Sequence, residues 1–195
     1  MFPMVVELRD RAVLVIGAGA VGAHKAAQLV RAGARVTVLS SEVLATLDEG
    51  VDAVVRRPYH SGDLAGAFLV VAATGDAIAN DAIVAEAAER NILLNVVDDV
   101  ARSNFFFTAV HRDGDVVVSV STSGASPALA QWLRNAIAHA MPNNIALVAT
   151  KLRAERRAVH DRGASTEQID WSQRVRHLLE STSEGADQRD RRVGG

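Results

Sequence analysis

Asp98 and Asp99 stand side by side at the end of the apolar run 93–97, and Gly17, Gly19 and Gly22 close another apolar run at the spacing G-x-G-x-x-G. A positioned carboxylate can take a proton from a substrate in the transition state, which contributes roughly 10²–10⁴-fold in rate. The glycines suit a different task. The first permits a tight turn, the second lets backbone approach a pyrophosphate, and the third lets a helix pack closely on a strand. Free N–H groups at the head of that helix would then hold the phosphates. A nucleotide that accepts hydride and a carboxylate that accepts a proton would make a redox pair. A Gly-rich turn that only packs, and an aspartate that only caps a turn or binds ribose, would do no chemistry; these residues alone leave the role of Asp98 open.

Positioning such groups takes a parallel sheet, because ligands gather outside the carboxyl ends of its strands. The apolar runs occur in the order a βαβ chain requires. Residues 12–17 read as a first strand, 20–32 as a helix ending at Gly33, 35–40 as a second strand, 42–49 as a short helical piece and 51–57 as a third strand. Residues 67–74 read as a buried strand, 76–91 as a helix stopped by Asn91, and 93–99 as a fifth strand ending on the two aspartates. Successive side chains of an extended segment face opposite ways, so one aspartate faces the crevice, and Asp98 is assigned to it.

The pattern changes at residue 104. Residues 104–122 read as two antiparallel strands joined at Asp113 and Gly114. Ser126 then caps a helix with Pro127 at its first position, and Leu129, Trp132, Leu133, Ala136, Ile137 and Ala140 fall on one face that must pack on something. Residues 142–183 read as a helical annex with charged faces, and 184–195 as a disordered tail. The fold class is thus α/β: a Rossmann-type parallel sheet over 1–103, a hairpin-and-helix region over 104–141, and a small C-terminal helical domain.

Composition removes several alternatives. A formal net charge of −2 gives no long-range field to attract nucleic acid or an anionic membrane. The absence of cysteine excludes disulfides, iron–sulfur clusters, thiolate zinc sites and a cysteine nucleophile. A hydrophobic share of 49% with only 4% aromatic residues fits a sheet buried on both faces. No apolar run approaches the ~20 residues of a spanning helix, and residues 1–11 lack a signal core, so a soluble, unexported, cytoplasmic protein is expected.

Gly17, Gly19, Ala20, Val21 and Gly22 are expected to hold the nucleotide, with Thr74 beside them. The second strand ends in serines where an acidic residue usually grips the ribose, which makes Ser40 and Glu42 the ribose candidates. No neighbouring arginine offers itself to a 2′-phosphate, so NAD is expected rather than NADP.

Four stretches in order are more specific than the glycines: "LRDRAVLVIGAGAVGAHKAAQLVRAGARVTVLSSE", "RPYHSGDLAGAFLVVAATGD", "NILLNVVDDVARSNFFFTAVHRDGDVVVSVSTSGASPALAQWLR", and the helical annex after Met141. Together they resemble the precorrin-2 dehydrogenase/sirohydrochlorin ferrochelatase family, the NAD-dependent module of siroheme synthases. The resemblance covers residues 1–150 well and the annex loosely. It implies oxidation of precorrin-2 to sirohydrochlorin with NAD, ferrous iron insertion in some members, and a homodimer in which 104–141 is the dimerisation region. The aspartate of the family's "NVVD" motif, implicated in both reactions, falls on Asp98. The chain departs from the family pattern at His24, where arginine is common, at Gly22, where alanine is common, and at Thr108, where proline is frequent. His24 puts the anion contacts near the cofactor in question.

A tetrapyrrole rich in carboxylates must meet a local basic surface on a chain of this charge. Arg102, His111, Arg112 and Arg134 are the candidates, since paired donors grip carboxylates; ordinary solvated charge is the alternative for each. In "STSGASP", Thr122, Ser123, Gly124 and Ser126 are expected to bound the substrate cleft, a hydroxyl-rich loop at a helix N-terminus being a ready anion site. The six histidines show no ligand spacing, so no resident metal site is expected; Asp98 could still escort Fe²⁺ into the macrocycle. No methyltransferase module follows, so another protein is expected to supply the methylated substrate. The rival is an NAD-sensing regulatory module without catalysis, which has no need of "NVVDD" or of residues 104–127. A short-chain dehydrogenase would carry Tyr-x-x-x-Lys, and Tyr59 is the one tyrosine.

Overall fold

The computed structural model describes residues 1–167 and 169–181, which form two compact units dividing between Phe107 and Thr108. The tail expected over 184–195 lies outside the described residues. In the first unit, β1 (Ala12–Ala18), β2 (Arg35–Val43), β3 (Ala53–Val55), β4 (Leu69–Ala72) and β5 (Leu93–Val96) make a parallel sheet in the order β3-β2-β1-β4-β5. After β3 the chain returns to the other side of β1. Connections therefore leave β1 and β4 in opposite directions, and a crevice opens above their carboxyl ends.

Alternation along the strands fills both faces. Val13, Val15, Val36 and Val38 pack with Ala26 and Leu29 of α1 (Ala20–Arg31). Leu14, Ile16, Leu39 and Val70 pack with Ile83 and Ala87 of α2 (Ala77–Arg90). Burial on both sides is why these strands are nearly continuous apolar runs. The ends of α2 follow the sequence: Asp76 accepts hydrogen bonds from the N–H groups of Ile78 and Ala79, and Asn91 stops the helix in the left-handed region at φ 56°.

Two expectations are corrected here. Residues 42–49 hold no helix, because β2 continues through Ser40, Ser41 and Glu42 to Val43. A register irregularity between Ile16 and Ala18 brings Val43 opposite Ala18. The Ala18 N–H donates to the Ser40 hydroxyl, which donates in turn to the Glu42 carbonyl. Polar side chains at this bulge hide the strand's period. The fifth strand stops at Val96 instead of running to the aspartates; residues 97–98 turn, and Asp99 makes an isolated antiparallel bridge back to Val96.

The loop after β3 is tied down by charge. Arg57 grips Asp63 with both guanidinium nitrogens, at 2.6 and 2.7 Å. The buried Glu86 carboxylate accepts from the Tyr59 hydroxyl at 2.5 Å, the Gly62 N–H at 2.8 Å and Arg90 Nε at 2.7 Å. Burial raises the Glu86 pKa, but these donors outweigh it and leave the carboxyl below its usual range. Burial, with Glu86 beside it, pushes the Tyr59 phenol upward. Glu86→Ala would strand the Tyr59 and Gly62 donors, so we expect a loss of about 2–4 kcal/mol, read from the urea midpoint. Because the folded pKa lies below the unfolded one, this contribution is full at neutral pH and fades as the pH falls through the carboxylate range. The wild type should therefore lose its advantage over the variant in acid.

In the second unit, β6 (Ala109–Asp113) and β7 (Val116–Val120) pair antiparallel. Asp113 pairs with Val116, so the turn falls on Gly114 and Asp115, one residue later than expected. Residues 104–108 stay outside the strand. Gly114 sits at φ 55°, and a Cβ there would lie 2.9 Å from that of Ala146 in α4 (Ile145–Asp161). In α3 (Pro127–Ala140), Ser126 caps through the Leu129 N–H and Pro127 opens the first turn, as the sequence indicates. The face expected to pack does not pack within this unit: Ala130 is the buried residue of α3, while Trp132 is 65% exposed and Leu129 and Ile137 are also exposed. A last helix over 171–181 is joined to α4 by Arg174, whose guanidinium holds Glu155 at 2.8 and 2.5 Å. Among the described residues, no helix is long and apolar enough to cross a membrane.

Candidate active site

The glycine turn has the shape its sequence implies. Gly17 sits at φ 102°, and a Cβ there would lie 2.4 Å from the Ala73 carbonyl oxygen; one on Gly22 would lie 2.0 Å from that of Gly17. Those two glycines let β1, β4 and α1 approach each other. Gly19 differs, since a Cβ there would meet nothing within 4 Å. It caps α1 without a side-chain bond, and its carbonyl takes the Ala23 N–H at 2.9 Å. The N–H groups of Ala20, Val21 and Gly22 thus lack helical acceptors and face cleared space, with no acidic residue in the first turn. A dinucleotide pyrophosphate fits that cradle.

The ribose candidates fare unequally. Ser40 spends its hydroxyl inside β2, while Glu42 is exposed at the strand's end. Thr74 follows β4 against Gly17; its Oγ1 accepts the Asp76 N–H and its carbonyl takes the Asn80 amide.

Asp98 and Asp99 are separated by the turn, not by strand alternation. Asp98 is exposed in the left-handed region at φ 60°. Asp99 accepts from Arg102 Nε at 2.6 Å and from its N–H at 3.0 Å, and the Arg102 side-chain bond holds the Asp99 carboxyl below its usual range. Arg102 also reaches Asp81 at 2.7 Å. Of the proposed substrate residues, Arg102 is therefore already paired on this surface.

Asp98 opens onto a cleft of about 490 Å³ lined by Ala20, Val21, His24 and Lys25 of α1, by Asn95 and Val97, and by Phe106 and Phe107. The first turn of α1 and the carboxylate thus share one cleft. Lys25 rests its ammonium 3.7 Å from the centre of the Phe107 ring. Burial lowers the Lys25 pKa, and the Asp98 carboxylate pulls it partly back. Asn95 donates to the Phe105 carbonyl at 3.1 Å, and the Phe105 and Phe107 rings lie 5.4 Å apart, which fixes the aromatic wall. Lys25, Asn95 and the aromatic pair escaped the sequence reading. Lys25 had one available signal: it falls four residues after Val21, on the same helix face.

The second unit carries the other candidates. Thr122 Oγ1 accepts the Ser126 N–H and donates to the Ser126 carbonyl, both at 3.1 Å, while Ser123 at φ 54° and Gly124 at φ 84° turn the chain between them. The four loop residues expected to act together do lie in one turn, with the Thr122 and Ser126 hydroxyls already engaged. His111 is half-buried and Arg112 exposed, on opposite faces of β6. Arg134 is half-buried with its Nε lacking an acceptor. Among the described residues, no three His, Cys, Asp or Glu side chains gather as a metal site.

A family model described as putative NAD(P)-binding matches residues 4–109, and one described as sirohaem biosynthesis protein central matches residues 113–140. The siroheme synthase of Photorhabdus laumondii is 37% identical over 152 residues, covering 75% of this chain and 32% of that protein. That of Ectopseudomonas mendocina is 42% identical over 134 residues, covering 68% and 29%. The chain spans about a third of the length of these relatives. A solved structure named SirC, precorrin-2 dehydrogenase superposes with a TM-score of 0.68 at 24% identity, covering 93% of this chain and 88% of that one, and shares the fold. With more than half its length matched, the chain belongs to the putative NAD(P)-binding family, joined here to the central segment of sirohaem biosynthesis proteins.

Proposed function

We propose that this protein oxidises precorrin-2 to sirohydrochlorin with NAD, and that Asp98 is its proton acceptor. The observation that carries the reading is the Asp98 carboxylate opening onto the same cleft as the first turn of α1. The names of the siroheme synthase relatives and of the precorrin-2 dehydrogenase neighbour support the substrate. NAD, when bound, supplies a two-electron acceptor that takes a hydride from a saturated ring carbon. The remaining steps belong to the chain. The free N–H groups of Ala20, Val21 and Gly22 hold the phosphates, with Gly17, Gly19 and Thr74 shaping the turn and Glu42 serving the ribose. Asp98 takes the proton that leaves as the macrocycle gains conjugation, and the Phe106 and Phe107 wall keeps water from the reacting face.

On the second unit, Arg134, His111, Arg112 and the 122–126 loop are the candidates for carboxylate binding; Arg102 instead positions the turn through Asp99. Ferrous iron would enter as a substrate whose ligands are the macrocycle's own nitrogens, with Asp98 taking the displaced protons. The absence of cysteine fits a cytoplasmic setting.

The test is anaerobic incubation of the protein with precorrin-2 and NAD. NADH and sirohydrochlorin should appear in equal amounts; NAD binding without oxidation would favour a sensing module instead. We further propose a homodimer through α3, because Leu129, Trp132 and Ile137 are an exposed apolar stripe on one chain. Trp132→Glu should convert the sedimenting species from dimer to monomer at micromolar concentration, and a wild type that already sediments as monomer would contradict this.

A further inference from the structure

Lys25 is the cation that the nucleotide turn does not use. It lies beyond the first turn of α1, past the free N–H groups, on the wall of the cleft that Asp98 enters. Its side chain is half-buried and laid over Phe107 at 3.7 Å, so the aromatic ring fixes where the ammonium sits. An aromatic face offers no lone pair. Among the described residues, no carboxylate lies within ion-pair distance of this ammonium and no acceptor hydrogen-bonds to it. Its N–H donors therefore face the cleft, available to an anionic group of a bound ligand.

Asp98 attracts the ammonium without pairing with it. Both groups line one cleft, which lets an anionic arm of a ligand meet Lys25 while its carbon skeleton extends toward Asp98. We propose that Lys25 is a substrate-binding residue that takes one carboxylate arm of the tetrapyrrole, fixing the macrocycle's rotation so that the oxidised carbon faces Asp98. This rests on the oxidation proposed above. The bound partner is an organic carboxylate, because the phosphates of the cofactor belong to the N–H groups of Ala20, Val21 and Gly22 one turn earlier.

The test titrates sirohydrochlorin anaerobically into wild type, Lys25→Met and Lys25→Arg, with NAD affinity measured on the same samples by calorimetry. A charge-assisted bond of this kind predicts binding weaker by about 10- to 100-fold in Lys25→Met. Lys25→Arg should stay within about threefold of wild type, because it restores the charge, and NAD affinity should stay within about twofold in both variants. In turnover, the Lys25→Met loss should fall mainly on KM for precorrin-2. Unchanged sirohydrochlorin binding in Lys25→Met would overturn the proposal. So would an equal loss of NAD affinity, which would mark Lys25 as a support for the aromatic wall. Binding without oxidation in the wild type would sink the proposed reaction and leave the anchor standing, whereas a wild type that oxidises precorrin-2 but binds no sirohydrochlorin overturns the anchor alone.

Discussion

Asp98→Asn should lower kcat for precorrin-2 oxidation by about 10²- to 10⁴-fold, the range expected for losing a general base. The exchange is unusually clean at this position. Asp98 occupies the left-handed region, and asparagine tolerates φ near 60° as well as aspartate does, so the turn keeps its shape. The neighbouring Arg102 bonds belong to Asp99 and are untouched. NAD affinity should therefore hold within about twofold, and the melting temperature should barely move. Steady-state rates and calorimetry on one preparation separate these effects. A variant with wild-type turnover would remove Asp98 from the mechanism, and a variant with equally damaged NAD binding would make it a cofactor contact.

Gly19→Asp should divide binding from folding in the opposite sense. The residue caps α1 from an extended conformation, φ −77° and ψ −177°, which any residue adopts, and a Cβ there meets no protein atom. Aspartate is among the best N-caps, and α1 has no side-chain cap of its own, so stability should stay level or rise by a few tenths of a kcal/mol. The same carboxylate would occupy the cleared space in front of the Ala20, Val21 and Gly22 N–H groups. There it repels and displaces a pyrophosphate, and NAD affinity should fall by about 100-fold or more, roughly 2.7 kcal/mol. Calorimetry beside a thermal melt reads both. An NAD affinity within threefold of wild type would place the pyrophosphate elsewhere.

The nucleotide turn was legible because glycine spacing between a strand and a helix constrains backbone directly: Gly17 and Gly22 are each required by a close approach of backbone, while Gly19 keeps clear the space in front of the helix. Strand alternation admits at most one of the two aspartates to the crevice and the end of the apolar run points to Asp98, whereas the chain instead turns after Val96, with Asp99 bonded to Arg102. Arg102 read as a free cation because partners such as Asp81, distant in sequence, are invisible to spacing. The same holds for Lys25, whose meaning comes from Phe107, brought beside it by the bonds of Asn95 to the segment after β5. The helix expected over 42–49 failed because a bulge carried β2 onward through polar residues. On α3 the apolar periodicity points to a face that must pack on something, and within one chain Leu129, Trp132 and Ile137 of that face stay exposed.

In the proposed reaction, hydride passes directly from the tetrapyrrole to a nucleotide held at α1, beside Asp98. Its most direct test uses precorrin-2 deuterated at its saturated macrocycle carbons, oxidised anaerobically with NAD in ordinary water, with the recovered NADH weighed by mass spectrometry. One deuterium gained per NADH formed is the predicted result. Unlabelled NADH would mean that the hydrogen reached the nucleotide through solvent or another acceptor, and the shared cleft would then not be where the oxidation occurs.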